Sequence, residues 1–208
     1  MSTLARTIAA RRAPDWRRIV VGEAVLPAAF VAAILASNYA LTAIPNVKLF
    51  DLLVFVAGYT LGVRRGATVA VAAWFVYGQA NPFGYAPAPL LATLMAAEVG
   101  YALAGAVVRR IVPPERVRLG PGAAWAAFAC SALAATVAYD VATNVYTGIF
   151  WAGMAGSGAS VSGWVWTALT NPGALFFMAA HVSGNLVFFT LFGPPLVLAA
   201  RRLAPDAR

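Results

Sequence analysis

Apolar residues occupy six long stretches of the chain, and short segments rich in turn-forming residues separate them. A helix needs roughly 20 mainly apolar residues to cross a hydrocarbon core of about 30 Å, or fewer where neighbouring helices support its ends. The breaks carry clustered Pro, Gly and Asn, as in NPFGYAPAP at 81–89. The pattern predicts an all-α, polytopic membrane protein with six transmembrane helices, near 19–42, 50–64, 67–80, 88–111, 122–147 and 173–200.

Composition supports a membrane domain over a soluble one. Of the 208 residues, 62% are hydrophobic and only 11% are charged, whereas soluble domains carry about 25% charged residues. We expect a basic cytoplasmic N-terminal segment at 1–18, one transmembrane domain at 19–200 and a basic cytoplasmic tail at 201–208. The single cysteine, Cys130, excludes an internal disulfide.

The basic residues predict how the helices are oriented. With six spans, all but one of the 15 Lys and Arg residues fall on one side of the membrane, and the exception is Lys48. The positive-inside rule makes the crowded side cytoplasmic, so both termini are expected on the cytoplasmic side of a prokaryotic plasma membrane. The net charge of +8 then reflects membrane topology, and no nucleic-acid partner is expected.

Three consecutive predicted spans each carry an ionisable residue in the outer half of the membrane. At ~1.5 Å per residue, Glu98 lies ~15 Å, Asp140 ~10 Å and His181 ~12 Å from the external end of its helix. Each has a polar residue three or four positions away on roughly the same face. These companions are Tyr101, Asn144 and Asn185, respectively.

Two interpretations of these polar residues are open. A charged side chain near a helix centre costs ~2.5–3.5 kcal/mol on insertion scales, so three lipid-facing sites are not expected. The side chains could form an interhelical clamp, for example Asp140 bonded to His181, but such bonds average only ~0.6 kcal/mol in membranes. The alternative is a water-accessible pocket, to which Trp74 and Asn81 would contribute from the neighbouring external turn.

The segment 148–172 contains no charged residue and combines Gly and Ser with several aromatic residues. We expect a flexible external loop that forms either a lid over the pocket or an interfacial aromatic belt.

Motifs for several enzyme classes are absent from the sequence. It contains no G-x-x-x-x-G-K-[ST] nucleotide-binding loop, no H-E-x-x-H and no C-x-x-C. Ser183 lies two positions from His181, and side chains at that spacing diverge on a helix. We therefore predict a non-enzyme with no metal site and no cofactor.

Small residues recur every fourth position along the first span. Ala24, Ala28 and Ala32 have the spacing that allows helix backbones to approach closely in lipid. Because the whole chain is rich in alanine, this spacing fits either a docking face for another protein or ordinary composition.

Several segments together resemble the substrate-binding (S) components of energy-coupling factor (ECF) transporters. They are IPNVKLFDLLVFVAGYTLG (44–62), WFVYGQANPFG (74–84), Glu98, YDVATNVYTG (139–148) and HVSGNLVFF (181–189). The resemblance implies a membrane subunit that captures a vitamin or related micronutrient outside the cell. It further implies that the first helix docks on a coupling subunit, which carries two ATP-binding subunits, through an A-x-x-x-A motif. Ala24, Ala28 and Ala32 match this motif here.

The resemblance places the pocket at the outer ends of helices four to six, where Glu98, Asp140, Asn144, His181 and Asn185 occur. It does not identify the cargo. The acid-rich pocket favours a ligand that donates hydrogen bonds or carries positive charge, such as thiamine or its pyrimidine precursor. The alternative function is a stand-alone secondary transporter or channel that uses Asp140 and His181 to move protons or ions.

Overall fold

The computed structural model describes residue 16 and residues 20–44, 46–156 and 158–203, with the side chains of 201–203 left out. The N-terminal segment 1–18, apart from Trp16, and tail residues 204–208 lie outside the described residues. Within the described part the regular elements are helices, which confirms the all-α prediction. A π-helical turn at Val21–Val25 leads into the first α-helix, and a 3₁₀ turn occurs at Pro114–Arg116. The α-helices are α1 (Leu26–Ala40), α2 (Phe50–Leu61), α3 (Val63–Gln79), α4 (Ala88–Ile111), α5 (Ala123–Ala155), α6 (Val161–Thr170), α7 (Pro172–Leu191) and α8 (Gly193–Leu203).

Four described helical stretches are long and apolar enough to cross a membrane, at Val21–Ala40, Ala88–Ile111, Ala123–Ala155 and Pro172–Leu191. Large apolar side chains point outward along them, whereas a soluble monomer rarely exposes such extensive apolar patches. Examples are Leu103, Val107, Leu133, Val137, Phe176 and Val187, each more than a third exposed. The protein is therefore compatible with embedding in a membrane, while six spans remain a prediction.

The second predicted span forms the centre of the bundle. Eleven of the 12 residues of α2 are buried, and Thr60 is the exception. A helix that is apolar on all sides must be surrounded by protein or lipid. At ~1.5 Å per residue α2 is only ~18 Å long, and the longer helices pack around it.

Glycines allow α2 and α4 to pack with their backbones nearly in contact. A Cβ atom added to Gly58 of α2 would lie 2.1 Å from the carbonyl oxygen of Ala102. On the other helix, a Cβ on Gly105 would lie 2.1 Å from the carbonyl oxygen of Phe55. No side chain larger than hydrogen fits at either crossing point without movement of the backbone.

Polar contacts secure the end of the bundle at which α2 ends. Arg65 forms an ion pair with Glu23, and Arg109 donates hydrogen bonds to the carbonyl oxygens of Tyr59 (3.1 Å) and Thr60 (2.8 Å). The Tyr59 hydroxyl donates to the Val112 carbonyl oxygen at 2.6 Å. The loop at 41–49 lies at the opposite end, because α1 and α2 run in opposite directions.

The prediction of a long flexible loop at 148–172 is wrong, because most of this segment is helical. α5 continues to Ala155, and α6 begins after Ser160, whose Oγ accepts a hydrogen bond from the Gly163 amide at 3.1 Å. Gly148 allows the two helices to pack closely, because a Cβ there would lie 2.4 Å from the Val165 Cα. The aromatic residues of this segment therefore lie on packed helices rather than on a flexible lid.

The last predicted span, 173–200, is divided between α7 and α8. The break falls at Phe192, just before Gly193 and two prolines. Proline lacks the amide hydrogen that would continue the hydrogen-bond ladder, so the helix restarts there.

We predict that Gly105→Ala lowers the thermal unfolding temperature measured in detergent or nanodiscs. Overpacking at this backbone contact should cost about 1–3 kcal/mol. Gly100→Ala is the matched control, because Gly100 is exposed on the same helix and an added Cβ meets nothing within 4 Å. Equal unfolding temperatures for the two variants would contradict the close packing of α2 against α4.

Candidate functional site

A histidine joins two carboxylates from different helices near the centre of the bundle. His181 of α7 lies with Nδ1 at 2.9 Å from Asp140 Oδ1 and Nε2 at 2.7 Å from Asp51 Oδ2. Asp140 belongs to α5, and Asp51 lies in the first turn of α2. All three residues are buried, with exposed fractions of 7%, 7% and 4% for His181, Asp140 and Asp51.

The two hydrogen bonds account for two protons of this triad. Each bond requires one proton, whether that proton resides on the imidazole nitrogen or on the carboxyl oxygen. An imidazolium between two carboxylates and a neutral imidazole beside one protonated carboxyl both carry a net charge of −1. With one proton in each of these two bonds and no other proton on the triad, its net charge is −1.

A second polar branch extends from Asp51 towards α4. One turn after His181, Asn185 donates to Asp51 Oδ2 at 2.7 Å and to Thr136 Oγ1 at 2.8 Å, with the Tyr101 hydroxyl 3.3 Å away. The Tyr101 hydroxyl donates to Thr136 Oγ1 at 3.0 Å. Four helices thus contribute to one buried network, which satisfies most of its donors without water.

Glu98 lies beside this network with a different partner. Its Oε2 accepts a hydrogen bond from the Trp74 indole nitrogen at 3.1 Å, whereas Oε1 has no partner among the described residues. The Trp74 ring stacks on Phe50 at a centroid distance of 5.1 Å. Glu98 is fully buried and positions an aromatic side chain of the cavity described next.

A cavity of about 280 Å³ adjoins the triad at the end of the bundle that carries the 41–49 loop. Charged, polar and aromatic side chains share its walls. They belong to the loop and to α2, α3, α4, α5 and α7, and are Asn46, Lys48, Phe50, Asp51, Trp74, Leu94, Tyr139, Asp140, Thr143, Asn144, Ala174, Phe177, Met178 and His181.

Contacts with α7 hold the 41–49 loop over the cavity. The Asn46 side-chain amide donates to the Phe177 carbonyl oxygen at 2.9 Å, and Asn46 adopts a positive φ of 56°. The Val47 side chain lies within 3.6 Å of the position where Gly184 would carry a Cβ. These contacts attach to α7 the loop that contributes Asn46 and Lys48 to the cavity wall.

Lys48 brings a positive charge from the loop to the cavity. Its Nζ lies 4.8 Å from the centroid of the Tyr77 ring, within the range of a cation–π contact. Burial lowers the pKa of Lys48, and the nearby negative charges of Asp51 and Glu98 partly offset this effect.

The sequence-predicted residues occupy four kinds of position. Trp74, Asp140, Asn144 and His181 line the cavity. Tyr101, Asn185 and Glu98 are buried outside the cavity wall: the first two belong to the network, and Glu98 accepts a hydrogen bond from the cavity residue Trp74. Asn81 is not among the lining residues; its Oδ1 accepts a hydrogen bond from the Phe83 amide at 2.9 Å and shapes its own turn. Ala24, Ala28 and Ala32 lie on an exposed face at the start of the bundle.

The site residues that the sequence analysis missed include Lys48, Asp51, Thr136 and Tyr139. Asp51 had a usable signal, because it is the only charged residue between 49 and 63 and lies near Lys48 in the chain. Thr136 gave no such signal, since a hydroxyl in a helix commonly bonds to its own backbone.

Comparison with known proteins gives no match, whether to a protein-family model, a curated protein or a solved structure. Among the residues that the structure describes, no group of three or more His, Cys, Asp and Glu side chains is arranged to hold a metal ion. The chemistry of the site therefore has to be argued from its own residues.

We predict that Asp51→Ala strongly destabilises the protein. The change leaves His181 and Asn185 without their shared acceptor, and breaking a buried charge pair costs about 3–5 kcal/mol. Thermal unfolding is the measurement. Thr60→Ala is the control on the same helix, because the Thr60 hydroxyl donates to the Val56 carbonyl of its own helix and is not part of the buried network. Similar unfolding temperatures for both variants would contradict a structural role for Asp51.

Proposed function

We propose that this chain is the substrate-capturing membrane subunit of an ATP-driven importer of the ECF type. It binds a vitamin or related micronutrient at the external side and delivers it by docking on a coupling subunit that carries two ATP-binding subunits. In this proposal the chain has six transmembrane helices, both termini are cytoplasmic, and the cavity faces the exterior of a prokaryotic plasma membrane.

The observation that carries the proposal is a polar cavity between helices that are otherwise apolar. Carboxylates, an imidazole, an amide and an ammonium group line it together with aromatic rings. Polar groups are costly inside a membrane and generally mark ligand or ion sites. A cavity with a few polar groups among aromatic walls is the usual form of a small-molecule site.

The cavity volume limits the size of the cargo. Pockets for drug-sized ligands measure about 300–1,000 Å³, and this cavity of about 280 Å³ falls just below that range. A one- or two-ring metabolite fits this volume, whereas a large macrocyclic cofactor such as cobalamin does not.

Two further features agree with a subunit that depends on partners. The sequence lacks a nucleotide-binding loop, so ATP hydrolysis would reside in other chains. Ala28, Ala29, Ala32, Ala33 and Ala36 are all exposed on the first helix, although every one of them is apolar. Small exposed residues at this spacing allow a partner helix to approach closely.

We predict that the gently purified protein retains an endogenous metabolite, detectable by native mass spectrometry. Ala174→Trp should abolish this bound mass, because Ala174 lines the cavity and the indole would fill it. Leu175→Trp is the matched control, since Leu175 lies on the same helix but is 49% exposed outside the cavity. Retention of the metabolite by the Ala174 variant would contradict capture in this cavity.

We predict that Ala28→Leu combined with Ala32→Leu impairs assembly with the coupling subunit while metabolite binding persists. Co-purification of the ATP-binding subunits measures assembly. Ala92→Leu combined with Ala96→Leu is the control, because these alanines have the same spacing and are exposed on α4. Equal co-purification by both double variants would exclude docking through the first helix.

A secondary carrier is the second candidate, and the bonded chain Asp51–His181–Asp140 favours it. Linked carboxylates and imidazoles form the proton relays of many transporters. A carrier works alone, so proton-coupled uptake by the purified chain in liposomes, with no ATP-binding partner recovered from cells, would favour this function over the importer.

A further inference from the structure

One buried carboxylate oxygen in the cavity wall has no hydrogen-bond partner among the described residues. It belongs to the triad, whose net charge is −1 when only its two hydrogen bonds carry protons. The ammonium group of Lys48 lies over the Tyr77 ring and interacts electrostatically with Asp51 and Glu98.

The free acceptor is one particular oxygen atom. Asp140 Oδ1 contacts His181, whereas Asp140 Oδ2 is buried and has no hydrogen-bond partner among the described residues. Asp140 is only 7% exposed, yet it belongs to the cavity wall. A buried carboxylate oxygen without a donor costs free energy, and a ligand that supplies the donor recovers it.

Aromatic rings border the cavity on several sides. Phe50 and Trp74 form a stacked pair, and Tyr139 and Phe177 come from α5 and α7. Tyr139 lies edge-on to the His181 ring at 5.7 Å, next to the acidic triad. Aromatic faces attract both planar rings and cations.

We infer that the cavity takes a small aromatic cation with an N–H donor, such as a protonated amine, amidine or aminopyrimidine, and that the donor pairs with Asp140 Oδ2. This inference rests on the proposed function and narrows its substrate class. An anionic ligand would instead be repelled by the carboxylates of Asp51 and Asp140 in the wall. The Lys48 ammonium group in the same wall would attract it, but this group already interacts with Asp51 and Glu98.

The test uses three probes of nearly the same shape and different charge: benzamidine (cation), benzamide (neutral) and benzoate (anion). Binding to the protein in nanodiscs is measured by isothermal titration or ligand-observed NMR, and Ala174→Trp supplies the signal of a blocked cavity. Because hydrogen bonds to charged groups contribute about 1.5–3 kcal/mol, benzamidine should bind at least roughly tenfold more tightly than benzamide. Benzoate should bind most weakly.

Asp140→Asn tests the assigned atom. The amide oxygen still serves His181, while the amide nitrogen replaces the free acceptor with a donor, so the preference for benzamidine over benzamide should disappear. Glu23→Gln is the matched control, because it makes the same carboxylate-to-amide change at the opposite end of the bundle, outside the cavity wall, and should keep the preference. Asp140→Asn combined with Asn144→Asp places a carboxylate one turn away in the same wall and should not restore the preference.

The possible failures are distinct. If benzamide or benzoate binds as tightly as benzamidine, or if Asp140→Asn keeps the preference, the cation inference is overturned while capture of a ligand stands. An anionic endogenous metabolite would likewise overturn the cation inference and leave the capture of a ligand standing. If Ala174→Trp leaves the binding of all three probes unchanged, the cavity captures nothing, and the proposed function fails together with the inference.

Discussion

The bridge of His181 between Asp51 and Asp140 is the constraint on which the rest of the site depends. An isolated carboxylate in an apolar bundle is costly, and the cost falls only when a partner lies within hydrogen-bond distance. Each bond therefore fixes the relative positions of two helices, and together they join α2, α5 and α7. Because the bridging side chains are polar, the cavity beside them is polar as well.

The clamp and the pocket that the sequence left as alternatives are compatible in this arrangement. The bonds between His181 and its two carboxylates hold helices together, and the same three side chains form part of the cavity wall. The clamp is incomplete at Asp140 Oδ2. The bridge therefore holds the helices together and also leaves one hydrogen-bond acceptor beside the cavity for a small ligand that carries a donor.

Close packing elsewhere positions the acidic end of the buried helix. Gly58 and Gly105 let α2 approach α4 at backbone distance, and the contacts of Tyr59 and Arg109 fix the opposite end of α2. A rigid α2 presents Asp51 to His181 without a long or mobile side chain. The cavity thus lies at one end of α2, and the contacts of Arg109 lie at its other end. The exposed alanines of the first helix take no part in these contacts.

The sequence by itself determined the helical class, the apolar stretches and three ionisable residues within them, Glu98, Asp140 and His181, because these depend on local composition and spacing. Only the tertiary structure decided their partners: His181 bonds residues 41 and 130 positions away, and Asn185 reaches one 134 positions away. The tertiary structure also shows that most of 148–172 is helical, with close helix packing at Gly148, and that Asn81 lies outside the cavity walls. Periodicity shows which face of a helix is polar, but contacts between distant segments depend on how the helices pack.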